Sequence, residues 1–442
     1  MENIVIIGNG IAGITAARHI RKLGNNNITV ISSESKHFYS RTALMYIYMG
    51  VMKHNDIKPY EDWFWEKNRI NIINDYVQRI DVNKNQLILS SGINLFYDKL
   101  LIATGSKSNK FGWKGQDYAG VQGLYSLQDL DLMEQNTKNI SRAVIVGGGL
   151  IGIEMAEMLA SRNIPVTFLV REKSYWNNIL PQEESQMINK HIREHGIDLR
   201  LESELKEILA DDSGKVKSII TGRDEMIECQ FVGLTAGVSP NIDLLKDTSV
   251  ETGRGVLVND YLETNIPGIY SAGDCAEIKS EISGVKNRVE QLWYTGRMHG
   301  EVAAKNICGQ RIKYDRGILF NSAKFLDIEY QTYGAVNLKI PGEKNLYWEA
   351  KDFKHAIRVV YTDESVIGFN LMGIRYRQAV CEKWIMEKRT VEYVLSHLSE
   401  ANFDPEFFKQ FEKEVIDLYN NQNPGKMIML QKRKSGLFSK AV

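Results

Sequence analysis

Two stretches of this 442-residue chain place glycines where a backbone could hold a phosphate. They are Gly8-Asn9-Gly10-Ile11-Ala12-Gly13 and Gly147-Gly148-Gly149-Leu150-Ile151-Gly152. At this spacing Gly8 and Gly147 permit a tight turn, and Gly10 and Gly149 let main chain approach a pyrophosphate. Gly13 and Gly152 let a helix lie close on a strand. The anion would rest on a helix N-terminus, where unpaired N–H groups and the helix dipole favour negative charge. Glu34, past the strand that follows the first turn, could accept hydrogen bonds from ribose hydroxyls.

The elements around these turns repeat. Ile4–Ile7 and Ala143–Val146 read as short buried strands. Ile14–Leu23 and Ile153–Arg162 read as helices, and Ile28–Ile31 and Val166–Val170 as second strands. This is the opening βαβ of a Rossmann unit, written twice. The stretch through Gly115, Gly120 and Gly123 reads as a crossing between the units, and further strands are expected at Val216–Ile220 and Gln230–Leu234. From about Asp315 the pattern changes to strands at Asn321–Tyr330, Asn345–Trp348, Ile357–Tyr361 and Val366–Met372. Helices follow at Gln378–Lys388 and Glu406–Asn420, which together indicate a separate α+β domain. The end of the chain is basic, with Lys426, Lys432, Arg433, Lys434 and Lys440, and is expected to be a loosely held tail.

Composition narrows the function classes. The 55 basic and 55 acidic residues cancel, so nothing points to nucleic acid. Cys229, Cys275, Cys308 and Cys381 form no CxxC and no disulfide-like spacing, which suits a reducing cytoplasm, and no metal-ligating cluster is expected. The first apolar run is too short for a signal segment, and no run approaches the roughly 18–20 apolar residues of a membrane span.

Two more motifs supply a family resemblance. Thr264-Asn265-Ile266-Pro267-Gly268-Ile269-Tyr270-Ser271-Ala272-Gly273-Asp274 resembles the distal motif of FAD enzymes, and Leu100-Leu101-Ile102-Ala103-Thr104-Gly105 resembles the turn joining their FAD and NAD domains. With both glycine turns in order, the chain resembles the two-dinucleotide-binding-domain flavoproteins, the pyridine nucleotide-disulfide oxidoreductase superfamily. The match covers about residues 1–315 and the last domain more loosely. It implies three-layer α/β Rossmann-like domains for FAD (1–112 and 250–314) and NAD(P)H (113–249). An α+β domain (315–425) that serves homodimer formation and a tail (426–442) follow. FAD contacts then fall to Gly8, Gly10, Gly13, Glu34, Arg41, Ala103, Thr104, Gly105, Gly273, Asp274, Glu290 and Trp293, with Arg297 on the same passing helix. Asp274 would hold the ribityl chain and Arg41 the pyrophosphate. NAD(P)H contacts fall to Gly147, Gly149, Gly152, Val170, Arg171 and Gly237, with Glu154 near the nicotinamide–flavin contact.

Cofactor choice turns on the end of the strand after the second turn. An acid there suits NADH. Here Val170 takes that place and Arg171 follows, which favours NADPH because a guanidinium can bind the 2′-phosphate bidentately. Glu172 leaves NADH open. Phe38-Tyr39-Ser40-Arg41-Thr42-Ala43-Leu44-Met45-Tyr46 occupies the place of the reactive cysteines of disulfide reductases, and no cysteine precedes Cys229, so a thiol relay there is excluded. Tyr39-Ser40-Arg41 resembles rubredoxin, ferredoxin and nitrite reductases. Thr42, Met45 and Tyr46 depart from their usual Pro and Ser or Lys. The expected reaction is direct hydride transfer from nicotinamide C4 to flavin N5, with no acid–base residue assigned. Electrons then pass to an external acceptor, first of all a small iron–sulfur or rubredoxin-type protein. Trp63, Trp65 and Tyr46 are expected in helix cores, with the flavin edge as the alternative. Competing readings are a thiol-independent oxidase or quinone reductase, a redox-switched partner-binding flavoprotein, and an electron-input subunit of a larger complex.

Overall fold

Five parallel strands build the first sheet, in the order Ile269–Ser271, Lys99–Ile102, Asn3–Ile7, Asn27–Ser32, Ile70–Asn74. A computed structural model describes residues 1–282, 284–403, 407 and 409–431. The central strand Asn3–Ile7 is apolar and buried after its first residue, as expected of a parallel strand covered on both faces. A second parallel sheet repeats the plan in the order Asp198–Arg200, Val166–Leu169, Ala143–Val146, Phe231–Leu234, Val121–Gln122. Three-stranded antiparallel sheets accompany them, Val77–Phe96 and Leu205–Glu228.

Both glycine turns start their helices earlier than hydrophobic periodicity predicts. The helices run Ile11–Leu23 and Leu150–Ser161, with Gly10 and Gly149 as N-caps. The first helix packs on the helix Trp293–Ile307 through small residues: a Cβ on Gly300 would lie 2.4 Å from the Ala12 carbonyl oxygen, and one on Gly296 3.2 Å from Ile11.

The chain divides into two compact units, Met1–Arg171 with Gly196–Arg316, and Glu172–His195 with the residues from Gly317 onward. Both parallel sheets lie in the first. The second holds an antiparallel sheet in the order Phe320–Phe325, Ile328–Gly334, Val366–Met372, Ala356–Tyr361, Lys344–Glu349. The run expected as one strand, Asn321–Tyr330, is a hairpin, because Leu326 turns at φ 57°. Helices follow at Gln378–Met386, Val391–Ser396 and Glu412–Gln422, and their apolar faces join Tyr333, Phe369 and Leu371 in the core. The last helix, expected from Glu406, begins at Glu412, with residues 409–411 before it outside the helix; Glu406 and the tail beyond Gln431 lie outside the described residues. No helix among the described residues is long and apolar enough to cross a membrane.

Candidate functional site

The two glycine turns have the same internal geometry. Gly8 and Gly147 sit at φ 109° and 120°, where any side chain is strained, and a Cβ would meet the Ala103 carbonyl at 2.1 Å or the Thr235 carbonyl at 2.6 Å. A Cβ on Gly13 would lie 2.0 Å from the Gly8 oxygen, and one on Gly152 2.2 Å from the Gly147 oxygen. Gly10 and Gly149 differ from these: beyond their chain neighbours, no atom of the described residues comes within 4 Å of where a Cβ would stand. Neither helix has a side-chain cap or an acid in its first turn. The first-turn N–H groups therefore suit an anion, and the donor set fits a pyrophosphate in each unit.

The repeat extends to the strand beside each central strand on its other side, Lys99–Ile102 and Phe231–Leu234. Ala103 N–H donates to Ile7 and Thr235 N–H to Val146, both at 2.8 Å. Two residues on, Gly105 and Gly237 both take positive φ, 70° and 91°. Gly237 accepts from the Asn109 N–H at 3.1 Å, and Thr104 Oγ1 donates to the Asn241 carbonyl at 2.6 Å.

Glu34 and Arg41 meet one another. Arg41 Nη2 lies 2.7 Å from Glu34 Oε2 and Nη1 3.0 Å from Oε1, while Tyr39 OH and the Leu127 N–H donate to the same carboxylate. Burial opposes the Glu34 charge, but Arg41 and Tyr39 outweigh it and hold its carboxyl below the usual range. Arg41 also donates to the Tyr125 carbonyl and lies 4.3 Å over the Tyr125 ring. The residues assigned to ribose and pyrophosphate thus form one clamp in the first unit.

Asp274 lies in the turn Gly273–Cys275, which is seated on the first helix: a Cβ on Gly273 would stand 2.9 Å from the Ala12 Cβ. Ser106 Oγ donates to its carboxylate at 3.0 Å, with Tyr125 OH at 3.4 Å. Burial raises the Asp274 carboxyl above its ordinary range, and Ser106 and Arg41 offset this only in part. Burial first, then the Asp274 charge, raises the Tyr125 phenol to about 12, so it remains a neutral donor. Sequence reasoning missed Tyr125 and Ser106. They reach the turn across 149 and 168 residues of chain, which leaves no local signal.

Behind the same turn, the Gly273 N–H donates to Nδ1 of the buried His299 at 3.2 Å, leaving the His299 proton on Nε2, which faces Glu290 Oε2 at 3.5 Å. Tyr314 OH donates to Glu290 at 2.6 Å, and Arg316 lies 3.5 Å away. Burial opposes the Glu290 charge, yet His299 and Tyr314 keep its carboxyl low. Glu290, read as an FAD contact, spends its carboxylate on this internal network. Trp293 opens the adjacent helix, half-buried. Trp65 packs in the core with Tyr60 and Phe64, while Trp63 is exposed and Tyr46 half-buried.

In the second turn, Val170 is fully buried with its side chain against Gly148, so it forms a wall and offers no hydrogen bond. Arg171 is exposed, 4.0 Å from Glu204. Half-buried Glu154 lies in the second turn of the helix that Gly149 caps, and burial together with Glu157 pushes its carboxyl up to about 7. Cys275 is a core filler, its thiol near the carbonyls of Ile102 and Ala272 at 3.4 Å.

Paired glycine turns of one geometry, with the Asp274 turn seated on the first of them, fit an oxidoreductase that uses FAD and NAD(P)H. A family model described as pyridine nucleotide-disulphide oxidoreductase matches residues 2–300, and the chain belongs to that family. It is 29% identical over 377 residues to the nitrite reductase [NAD(P)H] of Bacillus subtilis, covering 84% of this chain but only 46% of that protein, so it spans about half of that relative. The NADH-rubredoxin oxidoreductase of Clostridium acetobutylicum is 28% identical over 85% of this chain and 94% of its own length. A ferredoxin reductase structure from Rhodopseudomonas palustris shares the fold, with TM-score 0.78, 21% identity, and coverage of 94% and 99% of the two chains.

Proposed function

We propose that the first glycine turn, the Glu34–Arg41 clamp and Asp274 hold FAD, and that the second turn with Glu154, Gly237 and Arg171 receives NAD(P)H. On this reading the FAD domain comprises 1–112 and 250–314, and the NAD(P)H domain 113–249. The observation that carries this is the twofold geometry, in which Gly10 and Gly149 each leave open space over an uncapped helix start. Bound there, FAD would supply the hydride and electron chemistry that the side chains lack. The chain's own groups would orient and bind: the helix starts would take the pyrophosphates, Asp274 the ribityl hydroxyls, and Glu154 would face the nicotinamide. The acceptor is a small iron–sulfur or rubredoxin-type protein. That choice rests on the missing thiol relay and on relatives named for rubredoxin and ferredoxin. The same reading takes the working form as a cytoplasmic homodimer, with the four free cysteines in support and light scattering as the check.

Anaerobic titration of the yellow protein with NADPH and, separately, NADH tests the assignment through bleaching of the flavin. Stoichiometric bleaching is expected, faster with NADPH. Arg171→Ala should cost NADPH about 1.5–3 kcal/mol of affinity, the size of a charge-assisted contact, and spare NADH. If neither nucleotide bleaches the flavin, the second turn is no nicotinamide site. A purified rubredoxin or ferredoxin should then accelerate reoxidation over oxygen alone. Oxygen consumption at full rate without a carrier would instead make the protein an oxidase.

A further inference from the structure

The second unit carries a side-chain cluster that the flavin chemistry does not use. Helix Gln182–Glu194 and the residue after it present His191 and His195 one turn apart, on the same face. Asp327, at the tip of the hairpin between Phe320–Phe325 and Ile328–Gly334, meets both. We propose that His191, His195 and Asp327 bind one divalent transition-metal ion of the zinc class, tying this helix to the hairpin tip.

The donor atoms lie within 4.8 Å of one another, and His195 Nε2 is 3.5 Å from Asp327 Oδ1. A tetrahedral zinc ion with bonds of about 2.0–2.1 Å sets its donors about 3.3–3.5 Å apart, so that pair is already spaced for it. His191 Nε2 also meets Asp327 Oδ1 and would part from it to admit an ion.

The tautomers suit the role. His195 Nδ1 donates to the His191 carbonyl at 2.9 Å, which leaves Nε2 bare toward the carboxylate, the second-sphere arrangement common to metal-bound imidazoles. Without an ion Asp327 holds the His191 proton on Nε2; an ion there would displace it to Nδ1, which meets no partner among the described residues. Lys354 Nζ holds Asp327 Oδ2 at 2.8 Å, leaving Oδ1 for the ion. His191 is buried, whereas the side chains of His195 and Asp327 are 36% and 50% exposed, which gives an ion an access path and a water the fourth position. Two imidazoles and one carboxylate suit zinc, cobalt, nickel or copper better than calcium or magnesium. The sequence led to no expectation of a metal-ligating cluster, because Asp327 joins His191 and His195 only through the hairpin.

The test uses the full-length flavin-loaded protein, stripped with a chelator and titrated calorimetrically with zinc chloride, then with cobalt chloride by absorbance. One ion per chain and a tetrahedral cobalt spectrum are expected. His195→Ala and Asp327→Asn alter exposed side chains and should keep the flavin while weakening zinc at least about 100-fold, beyond the about 10–100-fold cost of outer-shell changes. Lys354→Met removes a competing cation and should bind zinc at least as tightly. Failure of the unaltered protein to take up zinc, unchanged affinity in either ligand variant, or weaker binding by Lys354→Met overturns the site.

Discussion

The backbone N–H of Gly273 donates to Nδ1 of His299 at 3.2 Å, inside a region closed to solvent. Through that bond the Glu290 network braces the turn that presents Asp274. His299→Leu would orphan the Gly273 N–H and strip one side from Glu290. A stability loss of about 1–3 kcal/mol is expected, as for other buried groups left unpaired. Flavin should also pass more readily into the filtrate on dialysis. A variant that melts and retains flavin like the parent would show that His299 fills space and braces nothing.

The glycines of each turn should separate by experiment. Gly13→Ala would press a methyl against the Gly8 carbonyl, at 2.0 Å, and should fail to fold stably. Gly10→Ala meets no atom of the described residues within 4 Å beyond its chain neighbours and caps the helix at φ −70°, a conformation open to any residue. It should fold, with a far-ultraviolet dichroism spectrum like the parent's, yet bind FAD weakly because its methyl group enters the anion's space. Gly149→Ala should do the same to NAD(P)H while keeping the flavin. A Gly10→Ala protein as yellow as the parent would remove the pyrophosphate from that turn.

This contrast also shows what was legible in the sequence. Glycine spacing exposes both βαβ units because Gly8, Gly13, Gly147 and Gly152 answer backbone constraints that no other residue meets, and those constraints are local. Helix starts were misplaced by three residues, since periodicity begins at Ile14 and Ile153 whereas the helices begin inside the motifs. The equivalence of Gly105 and Gly237 was hidden, because Ala103-Thr104 and Thr235-Ala236 share a hydrogen-bond pattern but little side-chain chemistry. Tyr125, Ser106 and His299 carry no pattern at all, as only the folded chain brings them to Asp274 and its turn. The hairpin turn Leu326-Asp327 places a leucine, not a glycine or asparagine, at its positive φ, so its two strands read as one.

In the second unit, Arg358 grips Glu184 with two bonds of 2.7 Å and reaches Glu183 at 2.8 Å. Arg358 and Glu184 side chains are 5% and 1% exposed, so neither charge has water to fall back on. Removing one partner should be costly: Glu184→Leu is expected to lose about 3–5 kcal/mol. Adding Arg358→Met should recover most of that loss, because an apolar pair of similar volume carries no desolvation penalty. Urea midpoints of the parent, both single variants and the double variant form the cycle that decides it. A double variant as unstable as Glu184→Leu alone would show that packing, not charge, dominates there.

Glu154 connects pH to both stability and turnover. Its carboxyl rises from an ordinary 4.5 to about 7 through burial and the charge of Glu157. Between those values the folded chain holds a proton that the unfolded chain has released, so this group's contribution to stability falls as pH rises from about 4.5 to about 7. Glu154→Gln cannot titrate and should lack that slope, gaining on the parent as pH increases. Chemistry should run the other way. An ionised Glu154 favours the positive charge that nicotinamide acquires on giving up hydride, so flavin bleaching should quicken through pH 7 in the parent and stay flat in Glu154→Gln. Stopped-flow bleaching and melting temperatures, taken on the same pair of proteins across that range, separate the two effects. A stability slope lost without any change in the bleaching profile would place Glu154 in the fold and away from the nicotinamide.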